Sequence, residues 1–289
     1  MPSYAVVGAS RGIGLEFVYQ LACRSDTVVF AIARNPEGST HLKTAVATFK
    51  NVHIISGDVA DHSTLEASLR LSKQVSEITS GKLDYLIHNA ANLDPNDVFK
   101  GFSDYPNMED LDNDFISAVC GPASRHANQL KLISRPFPLQ YKVNSLGPVH
   151  SITAFLPLLR ASTTRKIIVI GSGGGYAKTI LALGIVNICA YAMSKAAAHI
   201  AATKFALQLK DEGFVVVTLD PGFVNVSATA PSKDALKGFR AAMRETEVQF
   251  AVQTPKESVL DQLRVIDGLE SSHNGLYLSH KGGEYQAPG

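Results

Sequence analysis

Tyr4-Ala5-Val6-Val7-Gly8-Ala9-Ser10-Arg11-Gly12-Ile13-Gly14 decides how this chain is read. A short apolar run feeds a turn with glycines spaced G-x3-G-x-G, and a helical pattern follows from Leu15. Strand, glycine turn and helix in that order are the setting a dinucleotide diphosphate requires. Each glycine has a task there: a tight turn, close approach of backbone to the diphosphate, or close packing of helix on sheet. Amides at the start of the helix then face the diphosphate. No Lys-Ser/Thr pair follows Gly14, so the turn is not a P-loop. The bland alternative is a plain strand–helix turn with fortuitous glycines.

Working outward, strand-like runs alternate with helical ones. Residues 28–33, 52–56, 83–88, 166–170 and 214–219 are short, apolar or β-branched, and bounded by turn residues. Helical patterns lie near 15–23, 38–49, 63–79, 141–159 and 191–209, and a last short strand at 276–278 would join the sheet edge. Such alternation predicts an α/β fold, a doubly wound parallel sheet of Rossmann type with helices on both faces. The expectation is one domain over 1–289, with a small helical substrate flap at 227–252.

Composition excludes several classes of function. With 45% hydrophobic and 18% charged residues, the 289-residue chain matches a globular protein able to bury a substantial core. Lys and Arg number 27 against 26 Asp and Glu, so no global field recruits nucleic acid or an acidic membrane. No apolar run reaches the roughly 18 residues that a membrane span needs. The first strand begins near residue 3, leaving no room for a signal peptide ahead of it. Cys23, Cys120 and Cys189 are an odd number without metal-like spacing, which favours a reducing, cytoplasmic compartment. The nine histidines form no HExxH-type cluster, and no metal is expected.

Chemistry enters with Tyr191-Ala192-Met193-Ser194-Lys195. Residues four apart share one helix face, so the Tyr191 hydroxyl and the Lys195 ammonium converge. Exposed helices often carry such pairs, and the glycine turn is what raises this one above them. A phenol that exchanges a proton, a cation that tunes it and a nucleotide cradle together point to hydride transfer. A free phenol titrates near 10, and a neighbouring ammonium is expected to lower that value. Tyr176 is a rival phenol, but Ile180 stands where its lysine partner would be.

Cofactor choice is read from the tip of the second strand. An acidic residue there would hold the ribose 2′-hydroxyl of NAD, whereas arginine accommodates a 2′-phosphate. The strand ends in Arg34 with no carboxylate at its tip, and Arg11 adds a second guanidinium nearby. NADP(H) is the expected cofactor; two solvated surface arginines are the alternative.

The motifs resemble those of the short-chain dehydrogenase/reductase superfamily over most of the chain. Gly8, Ser10, Arg11, Gly12, Ile13 and Gly14 resemble its nucleotide motif, with Val7 where Thr is usual. Asp58-Val59 resembles the pair that contacts adenine, and Asn89-Ala90-Ala91 the Asn-Ala-Gly motif, with Ala91 replacing glycine. Pro221-Gly222-Phe223-Val224 resembles the segment lying against the nicotinamide, though Val226 stands where the family often has Thr. The resemblance implies strand order 3-2-1-4-5-6-7 and a catalytic group of Asn144, Ser172, Tyr191 and Lys195. Tyr191 would donate the proton in reduction, Ser172 would polarise the carbonyl, Lys195 would also reach the nicotinamide ribose, and Asn144 would hold a water of the proton relay. A small-molecule carbonyl or alcohol substrate follows, and a homo-oligomer stays open.

Finer similarity lies in Val29-Phe-Ala-Ile-Ala-Arg-Asn-Pro36, Ala154-Phe-Leu-Pro-Leu-Leu159 and Gly275-Leu-Tyr-Leu-Ser279. These resemble C-factor-like reductases and fungal ketoreductases of secondary metabolism, suggesting a polyketide or aromatic ketone. The stretch from Gly173 to Ala190 reads as a glycine-led loop whose Ile180, Leu181, Leu183 and Ile185 line an apolar substrate cavity, or simply pack on the core. Two other functions compete: a non-catalytic NADP-binding regulator, and an epimerase or dehydratase of nucleotide sugars. A regulator has no need of the Tyr–Lys pair, and too few residues follow Val226 for a sugar-binding domain.

Residues 116–139 stand apart. They contain no Asp or Glu, carry Gly121, Pro122, Pro136 and Pro138, and keep no clear period. Asn89 and Asn144 lie 55 positions apart, more than the family pattern needs. An insertion is expected here, either a specificity lid or translated sequence never selected to fold, such as a retained intron, with the absence of carboxylates favouring the second.

Overall fold

The computed structural model describes residues 1–60, 73–92, 102–104, 141–229 and 251–287. Seven parallel strands form one sheet in the order β3-β2-β1-β4-β5-β6-β7. They are β1 (Ser3–Val7), β2 (Val28–Ala33), β3 (Val52–Ser56), β4 (Tyr85–His88), β5 (Lys166–Ile170), β6 (Val215–Asp220) and β7 (Tyr277–Ser279). β2, β3 and β5 match their expected bounds residue for residue. β4 starts two residues late, and β6 and β7 are each displaced by one.

Nearly continuous apolar runs suit β1, β2, β4, β5 and β6 to the interior of the sheet, with β3 and β7 at its edges. Both faces of β1 are covered: Tyr4 and Val6 join one core cluster, Ala5 and Val7 the other. Helices α1 (Gly12–Ala22), α2 (Thr40–Val46) and α6 (Pro255–Asp267) cover the first face, where Phe17, Leu21, Leu42 and Val259 are fully buried. α3 (Gly147–Ala161) and α5 (Cys189–Gln208) cover the second through Ile152, Phe155, Leu159, Ala198, Ala202 and Ala206. Burying each large side chain is worth about 1.5–3 kcal/mol. The alanines, four apart along α5, let its backbone lie close to β6.

Two helices depart from expectation. α6 went unforeseen, although Thr254-Pro255-Lys256-Glu257 carries a start signal: Thr254 Oγ1 accepts from the Glu257 amide and the Glu257 carboxylate accepts from the Thr254 amide. The expected loop after Ser172 contains α4 (Ala177–Leu183), which Gly184 closes in the left-handed conformation. Of its apolar residues, Leu183 is buried while Leu181 is 82% exposed, so they do not form one continuous lining. Residues 73–79 close the helix expected over 63–79. The insertion at 116–139 and most of the flap at 227–252 lie outside the described residues. No helix among the described residues is long and apolar enough to cross a membrane.

Candidate active site

The strand order reverses between β1 and β4, and the residues singled out from sequence gather at the carboxyl ends of the strands beside that point. Open α/β sheets bind ligands there because the loops diverge and leave a crevice. Gly8 follows β1, Asn89 follows β4, Ser172 follows β5 and Pro221 follows β6.

The glycine turn is sterically committed. Gly8 has φ +85°, and a Cβ there would lie 2.6 Å from the Ala90 Cα. A Cβ on Gly14 would collide with the Gly8 carbonyl and the Asn89 amide group. Asn89 Nδ2 donates to the Gly8 carbonyl at 3.2 Å, tying the turn to β4. Ile13 packs its side chain against the first core cluster, anchoring the start of α1. These are the marks of a backbone cradle whose side-chain space has been given up.

Arg11 caps α1 in an extended conformation, and its guanidinium is pushed down by burial and by the facing Arg34. Two guanidiniums that repel one another where a ribose phosphate would lie are a fit for that anion. Asp58 Oδ1 accepts from the Ala60 amide at 2.9 Å, shaping the turn after β3. The Val59 carbonyl accepts from His150 Nδ1 at 2.8 Å, which assigns the proton to that nitrogen. The Pro221 carbonyl accepts from Ser258 Oγ at 2.7 Å; Gly222 takes φ +72°, and Val224 pairs with Gln253.

Thr229 was missed from sequence. Its hydroxyl accepts a 2.8 Å hydrogen bond from the Gly12 amide, and a Cβ on Gly12 would lie 3.2 Å from Val226 Cγ1. The 3-10 turn Ser227–Thr229 folds back over the cradle, so a threonine three residues beyond Val226 supplies a hydroxyl there. Only chain reversal brings it to Gly12, and no local pattern announces that.

Tyr191 and Lys195 lie on α5, which Ile188 enters at φ +53°, a strained value for a β-branched residue. Lys195 is 5% exposed, and its Nζ donates to the Ile170 carbonyl at 2.9 Å. Burial pushes this ammonium down to about 8, against the opposing pull of the Asp220 carboxylate. Asp220, also missed from sequence, is itself raised by burial while Gly222 N and Tyr277 Oη donate to it at 2.8 and 3.1 Å. The Tyr191 phenol is raised rather than lowered: burial dominates, the Ser172 hydroxyl beside it favours the phenolate, and Asp220 opposes that. Lys195 Nζ sits 6.0 Å from the Tyr191 ring centre with its proton directed to Ile170, so the expected lowering by Lys195 is not met.

Asn144 is 1% exposed in a π-helical turn, Lys142–Leu146. Its Oδ1 accepts from the Asn92 amide at 2.7 Å, and its Nδ2 donates to the Asn92 carbonyl and to Ser194 Oγ at 2.8 and 2.9 Å. The side chain therefore clamps the loop after β4 to α5, with both its amide oxygen and its amide nitrogen bonded to protein. A π turn at such a place is common at functional sites because it re-aims backbone carbonyls. His88, fully buried beneath it and bonded to Ser151 at 3.0 Å, is held neutral down to about 3 by burial and so adds no cation beside Lys195.

Comparison with known proteins agrees with this geometry. The model of the short chain dehydrogenase family matches residues 3–237. The short-chain dehydrogenase/reductase atnB of Arthrinium sp is 33% identical over 98% of both chains. An uncharacterized oxidoreductase of Schizosaccharomyces pombe is 31% identical over 96% of this chain and 95% of its own. Among solved structures, the NADPH-bound carbonyl reductase from chicken fatty liver superposes with TM-score 0.72 at 23% identity, covering 99% of this chain and 98% of its own. Carbonyl reductase Sniffer of D. melanogaster gives 0.69 at 20% identity, with 98% of each chain covered. At those identities the structural likeness speaks for the fold alone.

Proposed function

The chain belongs to the short-chain dehydrogenase family of nicotinamide-dependent oxidoreductases, and on that premise we propose an NADP(H)-dependent enzyme that interconverts a ketone and a secondary alcohol. The observation that carries the proposal is the meeting of Ser172, Tyr191 and Lys195 at the carboxyl edge, beside a glycine cradle with no room for side chains. Bound in that cradle, NADPH supplies the hydride. Gly8, Gly12 and Gly14 leave the diphosphate its space, with Ser10 on the same turn. Arg11 and Arg34 would hold the 2′-phosphate, Asp58-Val59 would flank the adenine, and Asn89-Ala90 would back the cradle. Pro221, Gly222 and Val224 wall the nicotinamide side.

In reduction the Tyr191 hydroxyl donates its proton to the carbonyl oxygen of the substrate. Ser172 donates a hydrogen bond to the same oxygen, stabilising the charge that develops there. Burial keeps the phenol protonated at neutral pH, which suits an acid awaiting a carbonyl. The Lys195 ammonium holds the ribose and a positive charge near the phenol as it loses its proton. Asn144 fixes α5 relative to the β4 loop so that these atoms stay in register.

The substrate belongs to the polyketide or aromatic ketones, a reading supported by the resemblance of residues 29–36, 154–159 and 275–279 to fungal ketoreductases of secondary metabolism. A cytoplasmic setting accompanies it, supported by an odd number of cysteines, Cys23, Cys120 and Cys189, without metal-like spacing. The rival, a nucleotide-binding regulator, predicts cofactor binding without turnover. A panel of aromatic and aliphatic ketones with NADPH or NADH, followed by absorbance of the reduced cofactor, separates the two. NADPH oxidation by bulky apolar ketones supports the enzyme, whereas tight NADPH binding with no oxidation by any ketone would leave the regulator.

A further inference from the structure

Ser172 stands between two glycines, and the ring of a C-terminal tyrosine fills the space that each side chain would take. A Cβ on Gly171 would lie 2.7 Å from Thr218 Cγ2, 2.9 Å from Tyr277 Cε2 and 3.1 Å from Tyr277 Oη, and one on Gly173 would overlap the Tyr285 hydroxyl. The two rings stack on each other, centres 4.8 Å apart and 23° from coplanar. Tyr176, just after the Ser172 turn, sets its ring edge-on to Tyr285 at 5.4 Å and 89°. Thr179 Oγ1, on α4, donates to Tyr285 Oη at 3.1 Å.

Tyr285 reaches this place because the chain doubles back after β7. The Ser279 amide donates to the Gly283 carbonyl at 3.0 Å, and the Tyr285 amide to the Tyr277 carbonyl at 2.7 Å. Gly282 and Gly283, at φ +91° and +74°, make the reversal. Tyr277 is in turn held through its hydroxyl to Asp220. The hairpin is thus pinned at the sheet and laid across the segment that carries Ser172.

We infer that Tyr285, stacked on Tyr277, is a positioning residue that holds the Gly171-Ser172-Gly173 turn with the Ser172 hydroxyl beside Tyr191. The inference rests on the reading of Ser172 as the group that polarises the carbonyl. A serine flanked by glycines has unusual backbone freedom, because glycine populates far more of conformational space than other residues. From within, the turn is shaped by Ser172 Oγ accepting from the Gly174 amide at 3.2 Å and the Ser172 carbonyl accepting from the Gly175 amide at 2.9 Å. The rings add side walls that these bonds do not provide. Reaction geometry is sensitive to such walls: a misplacement of about 1 Å can cost on the order of 100-fold in rate.

The test is a double-mutant cycle in the full chain with Ser172→Ala and Tyr285→Leu, read by turnover, substrate KM and NADPH affinity from fluorescence titration. Tyr285→Leu is expected to lower kcat about tenfold or more, leave NADPH affinity unchanged, and keep a cooperative thermal transition. Tyr285→Phe, which keeps the ring, restores most of kcat. In the Ser172→Ala background, Tyr285→Leu causes no further loss, because the group it positions is gone. Thr179→Val, which deletes only the 3.1 Å bond, gives a smaller loss of the same kind and serves if Tyr285→Leu does not fold. Wild-type kcat in Tyr285→Leu, or losses that multiply fully in the double variant, overturn the inference alone. Near-normal turnover in Ser172→Ala overturns the role of Ser172 and this inference with it.

Discussion

The Thr229 hydroxyl accepts a 2.8 Å hydrogen bond from the Gly12 amide, joining the turn after β6 to the cradle after β1 across 217 positions of sequence. A hydroxyl that accepts from one group still has a proton to donate. Here it points to the Val226 carbonyl over a long 3.5 Å; with the cofactor bound, a diphosphate oxygen would be the stronger acceptor. Thr229→Val should therefore weaken NADPH binding about fivefold to tenfold, the worth of one hydrogen bond. Thr229→Ser should restore it. Isothermal titration decides the matter; unchanged or tighter binding in the valine variant would remove Thr229 from the site.

Arg34, just after β2, lies close enough to Arg11 for its charge to push the Arg11 guanidinium down. Arg34→Asp replaces a cation by an anion next to a ribose 2′-phosphate, so it should reverse the preference from NADPH to NADH. Dissociation constants for both cofactors, measured on wild type and variant, check this. A wild-type protein that binds NADH the more tightly would show the arginines to be ordinary surface charges.

Tyr191→Phe removes one transferable proton and little else. Turnover should fall about 10²–10⁴-fold, the usual contribution of a placed acid, with NADPH affinity nearly intact. Stopped-flow traces with a responsive ketone measure both quantities. Substantial residual turnover would mean that the proton comes from elsewhere.

Lys195 titrates near 8 because burial lowers it, and the Asp220 carboxylate is the group holding it up. Below that pH the ammonium is present; above it the charge is lost, and NADPH affinity and turnover should fall together. Asp220→Asn takes away the raising charge, so the basic limb of the pH–rate profile should move to lower pH. Tyr277, His280, Tyr191 and Tyr285 also feel this carboxylate, and Tyr277→Phe, which removes one hydrogen bond to it but keeps the carboxyl group, should move the limb less than Asp220→Asn. A basic limb that stays put in Asp220→Asn would separate Lys195 from it.

Residues 116–139 lack carboxylates altogether, and we propose that they are an insertion between Asn89 and Asn144. A chain lacking them should fold at least as stably and retain NADPH binding. Urea unfolding of the two forms provides the comparison. A loss of several kcal/mol on deletion would show that the segment belongs to the fold.

Local pattern alone determined the framework: β2, β3 and β5 were legible to the residue because apolar β-branched runs end abruptly at turn residues. The nucleotide turn, Ser172 at a strand end, and Tyr191 with Lys195 one helical turn apart were legible for the same reason, since spacing along the chain specifies which face or edge they occupy. α6 carried a readable signal in Thr254 and Glu257, but it lay beyond the expected flap and was passed over. What no spacing announces was decided by the tertiary structure: Thr229 on Gly12, the two tyrosines over Gly171 and Gly173, Asp220 beneath Lys195, and the engagement of both ends of Asn144. Each joins atoms from distant segments, and their energies depend on burial and on which neighbour fills a space. Lys195 shows the difference. Its place four residues after Tyr191 follows from helical period, while the direction of its proton, towards Ile170, exists only once α5 is packed against β5.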